Sequence, residues 1–138
     1  MAELKVVVAN PKTGKCFQKV LPENPFINMK VKDKIDGESL GLEGYELEIT
    51  GGSDISGCPI RADLPGLGKK QVLLTEGPCI KMPRASHGLR LKKTVVANTI
   101  TVQIVQLNAK VTKEGSKSIE ESWNIQPKVV EAKPAAKA

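Results

Sequence analysis

Residues 50–61, TGGSDISGCPIR, hold three glycines, a proline, Ser53 and Asp54 within twelve positions, directly after the alternating run at 45–50. A glycine-rich turn behind a strand is one setting for a phosphate cradle, where backbone amides wrap the phosphate oxygens and a lysine reaches the terminal ones. Gly52 and Gly57 have the glycine interval of a P-loop, but Cys58 and Pro59 stand where Lys and Ser/Thr are required. The match fails where the chemistry would lie. A dinucleotide fingerprint needs G-x-G-x-x-G opening a long helix, and neither the spacing nor the helix is present. The stretch reads instead as a strand ending in a Gly-Gly bulge, then a turn in which Asp54 bonds neighbouring amides and Pro59 starts the next segment. The doubled glycine predicts positive φ at Gly51 or Gly52. A rigid corner of this kind can aim Arg61 at a partner.

The second chemical feature is charge. The formal net charge is +6 and the pI is near 9.3. Residues 68–93 contain Lys69, Lys70, Lys81, Arg84, Arg90, Lys92 and Lys93 against the single acid Glu76, while acids and bases elsewhere cancel. The whole excess therefore lies in one segment, which points to a polyanionic partner; the competing reading is a solvated charged face. Arg can fork onto phosphate oxygens and Lys acts as a point charge. His87 reads as an ordinary loop residue that can also donate to phosphate.

Other candidate chemistry is thin. Cys16, Cys58 and Cys79 are odd in number and widely spaced, with one histidine, so the chain is read as lacking a disulfide framework, metal site and cofactor, in a cytosolic setting. The cysteines are expected as small buried hydrophobes. Glu46 and Glu48 alternate on the polar face of a strand and read as solubilising rather than as an acid–base pair. The N-terminus has an acid at position 3 and a short apolar run, which fits neither a signal peptide nor a membrane span.

These residues need a scaffold. The length of 138 residues allows one core, burying roughly 68% of the unfolded surface. With aromatics limited to Phe17, Phe26, Tyr45 and Trp123, the interior must be Val, Ile and Leu, which favours strands. LKVVVA and CFQKVL flank the turn-forming NPKTGK as a hairpin. PFINMKV reads as a third strand, and KDKIDGESLGLEG leaves room for one helical turn at most. In YELEIT, Tyr45, Leu47 and Ile49 face one way and Glu46, Glu48 and Thr50 the other. QVLL and PCIKM read as short strands. TVVANTITVQIVQLNAKV is the longest β-rich stretch; its phase changes between Ile100, Val102, Ile104 and Val105, Leu107, Ala109, Val111, which predicts a bulge near Ile104 and Val105. Ser118 and Glu121 make a capping box for a short helix. The expected fold is all-β: six or seven short strands in a small closed or partly open β-barrel, with a short C-terminal helix. Residues 1–125 would be a single RNA-binding domain and 126–138 a flexible tail.

The corner and the later loop together resemble the small-subunit ribosomal protein six family of archaea and eukaryotes, which is unrelated to the bacterial protein of that ordinal. Gly51, Gly52, Asp54, Gly57, Pro59 and Arg61 fall on one half of its signature, with Ser53 where some members have Asn. Pro83, Arg84, Gly88, Arg90, Lys92, Lys93, Thr94 and Val95 match the basic half. Departures are Cys58 for an aromatic, Ala85 and Leu91 at positions often basic, and Val96-Ala97 for a frequent Arg-Gly. The resemblance runs from Leu4 to about Val111 and lacks the long basic tail of eukaryotic members, like the compact archaeal form.

What the resemblance implies is a structural, non-catalytic constituent of the ribosome in the cytoplasm, which binds small-subunit ribosomal RNA, contacts neighbouring ribosomal proteins and supports assembly. It has no membrane and no small-molecule substrate. The RNA-facing set would be Gly51, Gly52, Ser53, Asp54, Gly57, Arg61, Lys69, Lys70, Lys81, Arg84, His87, Arg90, Lys92 and Lys93. Rival readings are a peptide-binding adaptor, which wants an aromatic-lined groove, a diverged RNA-binding duplicate working outside the ribosome, and an enzyme, which wants a cleft of titratable groups.

Overall fold

A computed structural model describes residues 3–77, 80 and 88–123. The alternation of Leu4, Val6 and Val8 builds β1 (Leu4–Asn10), and the Asn-Pro/Thr-Gly turn returns the chain as β2 (Lys15–Leu21) in the expected antiparallel hairpin. Asn10 holds that turn: its side-chain oxygen accepts from the Lys12 amide at 2.9 Å, and its carbonyl accepts from Gly14. Then follow β3 (Lys34–Asp36), one 3-10 turn (Gly37–Leu40), β4 (Glu46–Asp54), β5 (Lys69–Leu74), β6 (Leu91–Val96), β7 (Ile104–Lys113) and α1 (Ile119–Ser122). Tyr45, Leu47 and Ile49 are buried, as their alternation requires. The Ser118 hydroxyl caps α1 by accepting from the Glu121 amide.

The described residues are all-β apart from these two short turns, but the sheets do not close into a barrel. Five strands run in the order β2-β1-β7-β4-β3, with β1 and β7 parallel and the other pairs antiparallel, while β5 and β6 form a separate ribbon. Closure would require β2 to meet β3, and β3 has only three residues. The inner face is covered instead by the connections: Phe26, Val31, Leu40, Leu42, Ile60, Ile100 and Ile119 pack on Val6, Val8, Leu47, Ile49, Leu107 and Ala109. Lysines on β2 and the shortness of β3 blunt the open edges. Tyr45 pins the C-terminal loop to this core by donating to the Lys117 carbonyl at 2.7 Å, and burial raises its pKa.

Two expected strands differ. Residues 25–31 form turns, with a single bridge from Lys30 to Thr99. The apolar positions that count there, Phe26 and Val31, are five apart and do not alternate, and Asn24 and Asp33 draw the backbone amides of Phe26 and Lys30 into side-chain bonds. The long stretch at 94–111 is cut by a turn, so β6 and β7 lie in different sheets. Ile100 is buried in that turn, and Val102 is 71% exposed. The bulge near Ile104 and Val105 is present: Asp54 faces Ile104 and Ser53 faces Gln106, leaving Val105 unmatched. The expected strand at 78–82 and the tail at 126–138 lie outside the described residues, apart from Ile80, as does Cys79. Cys16 is exposed rather than buried, because it lies on the open face of an edge strand.

The double glycine departs from expectation in an informative way. Neither Gly51 nor Gly52 has positive φ; that conformation falls on Gly57, at +76°. A bulge is present, since Ile49 faces Ala109 and Gly51 faces Asn108, leaving Thr50 over. Gly52 is required by proximity: a Cβ there would lie 2.3 Å from the Gln106 carbonyl oxygen and 3.2 Å from the Ile60 side chain. At Gly51 a Cβ would meet nothing within 4 Å. Gly52→Ala should therefore destabilise by about 1–3 kcal/mol, the usual range for overpacking, while Gly51→Ala should stay within about 0.5 kcal/mol of wild type. Urea denaturation of the two variants measures both, and equal midpoints would contradict the steric account.

Candidate nucleic-acid interface

Beyond Ser53 the chain turns sharply. The Asp54 amide donates to the Cys58 carbonyl, the Gly57 amide to the Asp54 carbonyl at 2.8 Å, and Ser53 bridges Pro59. The Asp54 side chain, 1% exposed, accepts from the Ile55 amide at 2.5 Å. The corner is thus closed on itself with a carboxylate at its centre, which disfavours a phosphate.

That carboxylate meets a cation of the predicted RNA-facing set. Lys69 Nζ lies 2.6 Å from Asp54 Oδ2 and donates to Ser56 Oγ at 2.8 Å. The Asp54 carboxylate raises the Lys69 pKa, through the hydrogen bond first and the Coulomb attraction second, so the ammonium stays charged at neutral pH. Two further members are held internally. Arg61 donates to Asp63 through Nε at 3.2 Å and through a terminal nitrogen at 2.6 Å, and Arg61 in turn lowers the Asp63 pKa. Its side chain is only 19% exposed. Lys70 donates to the Pro65 carbonyl at 2.8 Å.

The ribbon is rooted beside the corner. Val96 donates to the Pro59 carbonyl and accepts from the Arg61 amide, Ala97 donates to Gly68, and Asn98 to Leu64. Val95, Val96 and Ala97 are buried at this root, whereas Lys92, Lys93 and Thr94 are exposed. Strand alternation sends successive side chains to opposite faces. Lys92 shares a face with Lys69 and Leu73, and Lys93 with Lys70 and Val72. Both faces of the ribbon therefore carry cations. Ser56, Gly57, Cys58, Pro59, Lys93, Thr94 and Val95 line a shallow cleft of about 140 Å³, which joins corner and ribbon in one surface.

Of the predicted residues, Gly57, Lys69 and Lys93 are brought together here, with Arg90 and Lys92 exposed at and beyond the start of β6. Gly52 is instead consumed by packing, and Gly51 and Ser53 lie on the opposite, outer side of the sheet. Lys81, Arg84 and His87 lie outside the described residues. The partners Ser56 and Asp63 escape sequence reasoning, as does the neutralisation of Lys69, because the pair Asp54–Lys69 joins positions with no periodic relation. Among the described residues no group of three His, Cys, Asp or Glu is placed to hold a metal ion.

Comparison with known proteins agrees with this chain's resemblance. The family described as ribosomal protein S6e matches residues 4–124. Proteins named small ribosomal subunit protein eS6 are similar along nearly the whole chain. That of Methanocaldococcus jannaschii is 47% identical over 121 residues, covering 88% of this chain and 91% of the relative. That of Methanoregula boonei is 41% identical over 132 residues, covering 94% and 89%, and that of Nanoarchaeum equitans 41% over 122 residues, covering 88% and 90%.

The internal pairing has a measurable consequence. Lys69→Gln should lower the thermal midpoint, because it strands the buried Asp54 carboxylate, whereas Lys92→Gln should leave it unchanged. A lysine whose folded pKa is raised contributes stability that is full below its ordinary value of 10.5 and is lost as pH rises through the folded value, so the difference should persist at pH 7 and fade in strong alkali. Thermal melts of both variants at pH 7 and above pH 11 test this; identical midpoints at pH 7 would refute the pairing.

Proposed function

We propose, from the premise that this chain belongs to the ribosomal protein S6e family, that its β5–β6 ribbon and the corner beneath it form the surface that meets ribosomal RNA. The chain is a structural constituent of the small ribosomal subunit, in the cytoplasm, and it associates with ribosomal RNA and other ribosomal proteins. We read it as non-catalytic, with residues 1–125 acting as one RNA-binding domain.

The observation that carries the reading is the placement of charge. The entire formal excess of +6 lies in residues 68–93, and the strands of that segment stand apart from the main sheet as a two-stranded ribbon. Concentrating like charge costs self-repulsion, which a neutralising polyanion relieves. Strand alternation sends Lys92 and Lys93 to opposite sides of the ribbon, where they can meet phosphates on two flanking RNA segments. Affinity then comes from phosphate neutralisation with counterion release, joined to recognition of RNA shape.

The aromatics support the same choice by their placement. Phe26 and Tyr45 are buried, and Phe17 and Trp123 pack against the core. That arrangement supplies neither a stacking platform for single-stranded bases nor an aromatic groove for peptides.

Binding of the purified chain to small-subunit RNA fragments across a salt series tests the assignment. With about five phosphate contacts, log affinity should fall against log salt with a slope of roughly −3 to −4. Joint replacement of Arg84, Arg90, Lys92 and Lys93 by Gln should flatten it by about 3. Lys69→Gln should leave the slope alone, because that cation is already neutralised. A slope unchanged by the quadruple substitution removes the segment from the interface, and binding indifferent to salt overturns the RNA-facing assignment.

A further inference from the structure

The five-stranded sheet has a second face that the RNA assignment does not use. The register places Val7 and Ala9 of β1, Gln106 and Asn108 of β7, and Gly51 and Ser53 of β4 side by side on it, away from the core. All six are half-buried. The core residues contributed by these strands all lie on the other face. We propose that this outer face, centred on Gly51, seats a neighbouring protein of the small subunit; the proposal rests on the chain's place in that subunit.

Charge selects the class of partner. In a chain that is 26% charged, the centre of this face carries no ionisable side chain apart from Cys16 at its margin, and Lys5 stands at its rim. Towards β3 two cations are matched, Lys110 by Glu48 at 3.0 Å and Lys113 by Glu46, and Lys34 lies opposite Glu48. RNA-facing surfaces are rich in unmatched cations, as the ribbon is, whereas the centres of protein–protein interfaces are depleted of charge. An uncharged face therefore fits an uncharged protein surface.

Gly51 says how close that surface comes. Glycine inside a strand weakens it, and usually a fold needs it for positive φ or for lack of room. Neither holds here: φ is ordinary, and nothing lies within 4 Å of where a Cβ would be. The space is open towards solvent, so what requires the missing side chain lies outside this chain. Around it two polar contacts are made within the chain, Gln106 Nε2 donating to Asn108 Oδ1 and Thr50 Oγ1 to the Asn108 carbonyl, each at 3.0 Å. Covering them costs little desolvation.

The experiment compares wild type and Gly51→Val in two assays, binding to protein-free small-subunit RNA and incorporation into subunits reconstituted from that RNA and total small-subunit protein. Gly51→Val should match wild type in urea midpoint and in RNA affinity and salt slope, yet incorporate at least tenfold less well. Equal incorporation would overturn the proposal, and so would a loss of affinity for protein-free RNA, which would make the face an RNA contact. Wild type supplies a second measurement that needs no variant. Cys16, exposed on the same face, should alkylate in the free chain, be protected in assembled subunits, and cross-link to protein; continued reactivity or cross-linking to RNA alone overturns the proposal. Failure of the ribbon substitutions to alter RNA binding would strike the ribbon assignment and leave this face untouched.

Discussion

The approach of β4 to β7 at Gly52 is the contact on which the remaining architecture depends. β7 is the central strand: it pairs parallel with β1 on one side and antiparallel with β4 on the other, so within the sheet the N-terminal hairpin and the β3–β4 pair are hydrogen-bonded together through it. At Gly52 the β7 backbone comes so near that the Gln106 carbonyl occupies the place of a Cβ, with Ile60 sealing the site from the core side. A side chain there would push the two strands apart just where three register shifts already bend them. Those bulges increase twist, which lets β4 deliver the corner beside the root of the ribbon.

From that corner the charge arrangement follows. A buried carboxylate is tolerable only when paired, and Asp54 takes Lys69 from the ribbon as its partner. The tie works in two directions. It neutralises one cation of the basic segment, and it fastens β5 to the turn that ends β4, beside the backbone bonds that Pro59 and Arg61 make with Val96. Cations near the root thus hold the ribbon in place, while Arg90, Lys92 and Lys93, farther along it, are exposed to a partner. The two faces of the main sheet divide in a similar way: one is spent on the core under long connections, and the other is left open, uncharged at its centre and charged at its rim.

Local chemistry made much of this legible in the sequence. The hairpin at 4–21, the alternating strand at 45–50, the capped turn at Ser118 and the bulge at Val105 each rest on interactions among near neighbours, through alternation, turn residues or a cap. Residues 25–31 misled because an apolar, β-prone composition was taken for alternation, and their side chains instead bond the local backbone. The two halves of the family signature were visible for a related reason, being contiguous stretches of unusual composition.

By itself, then, the sequence determined the all-β class, the family, and the confinement of excess charge to residues 68–93, since each is a property of composition or of short-range order. Only the tertiary structure decided that the sheet stays open, that Gly52 answers to a distant carbonyl rather than to its own φ, and that Lys69 of the ribbon is the partner of Asp54. The physical reason is common to all three. Strand partners, close approaches and this ion pair couple positions that are not near neighbours in the chain, and no periodicity encodes which of its cations will be used to neutralise its own buried acid.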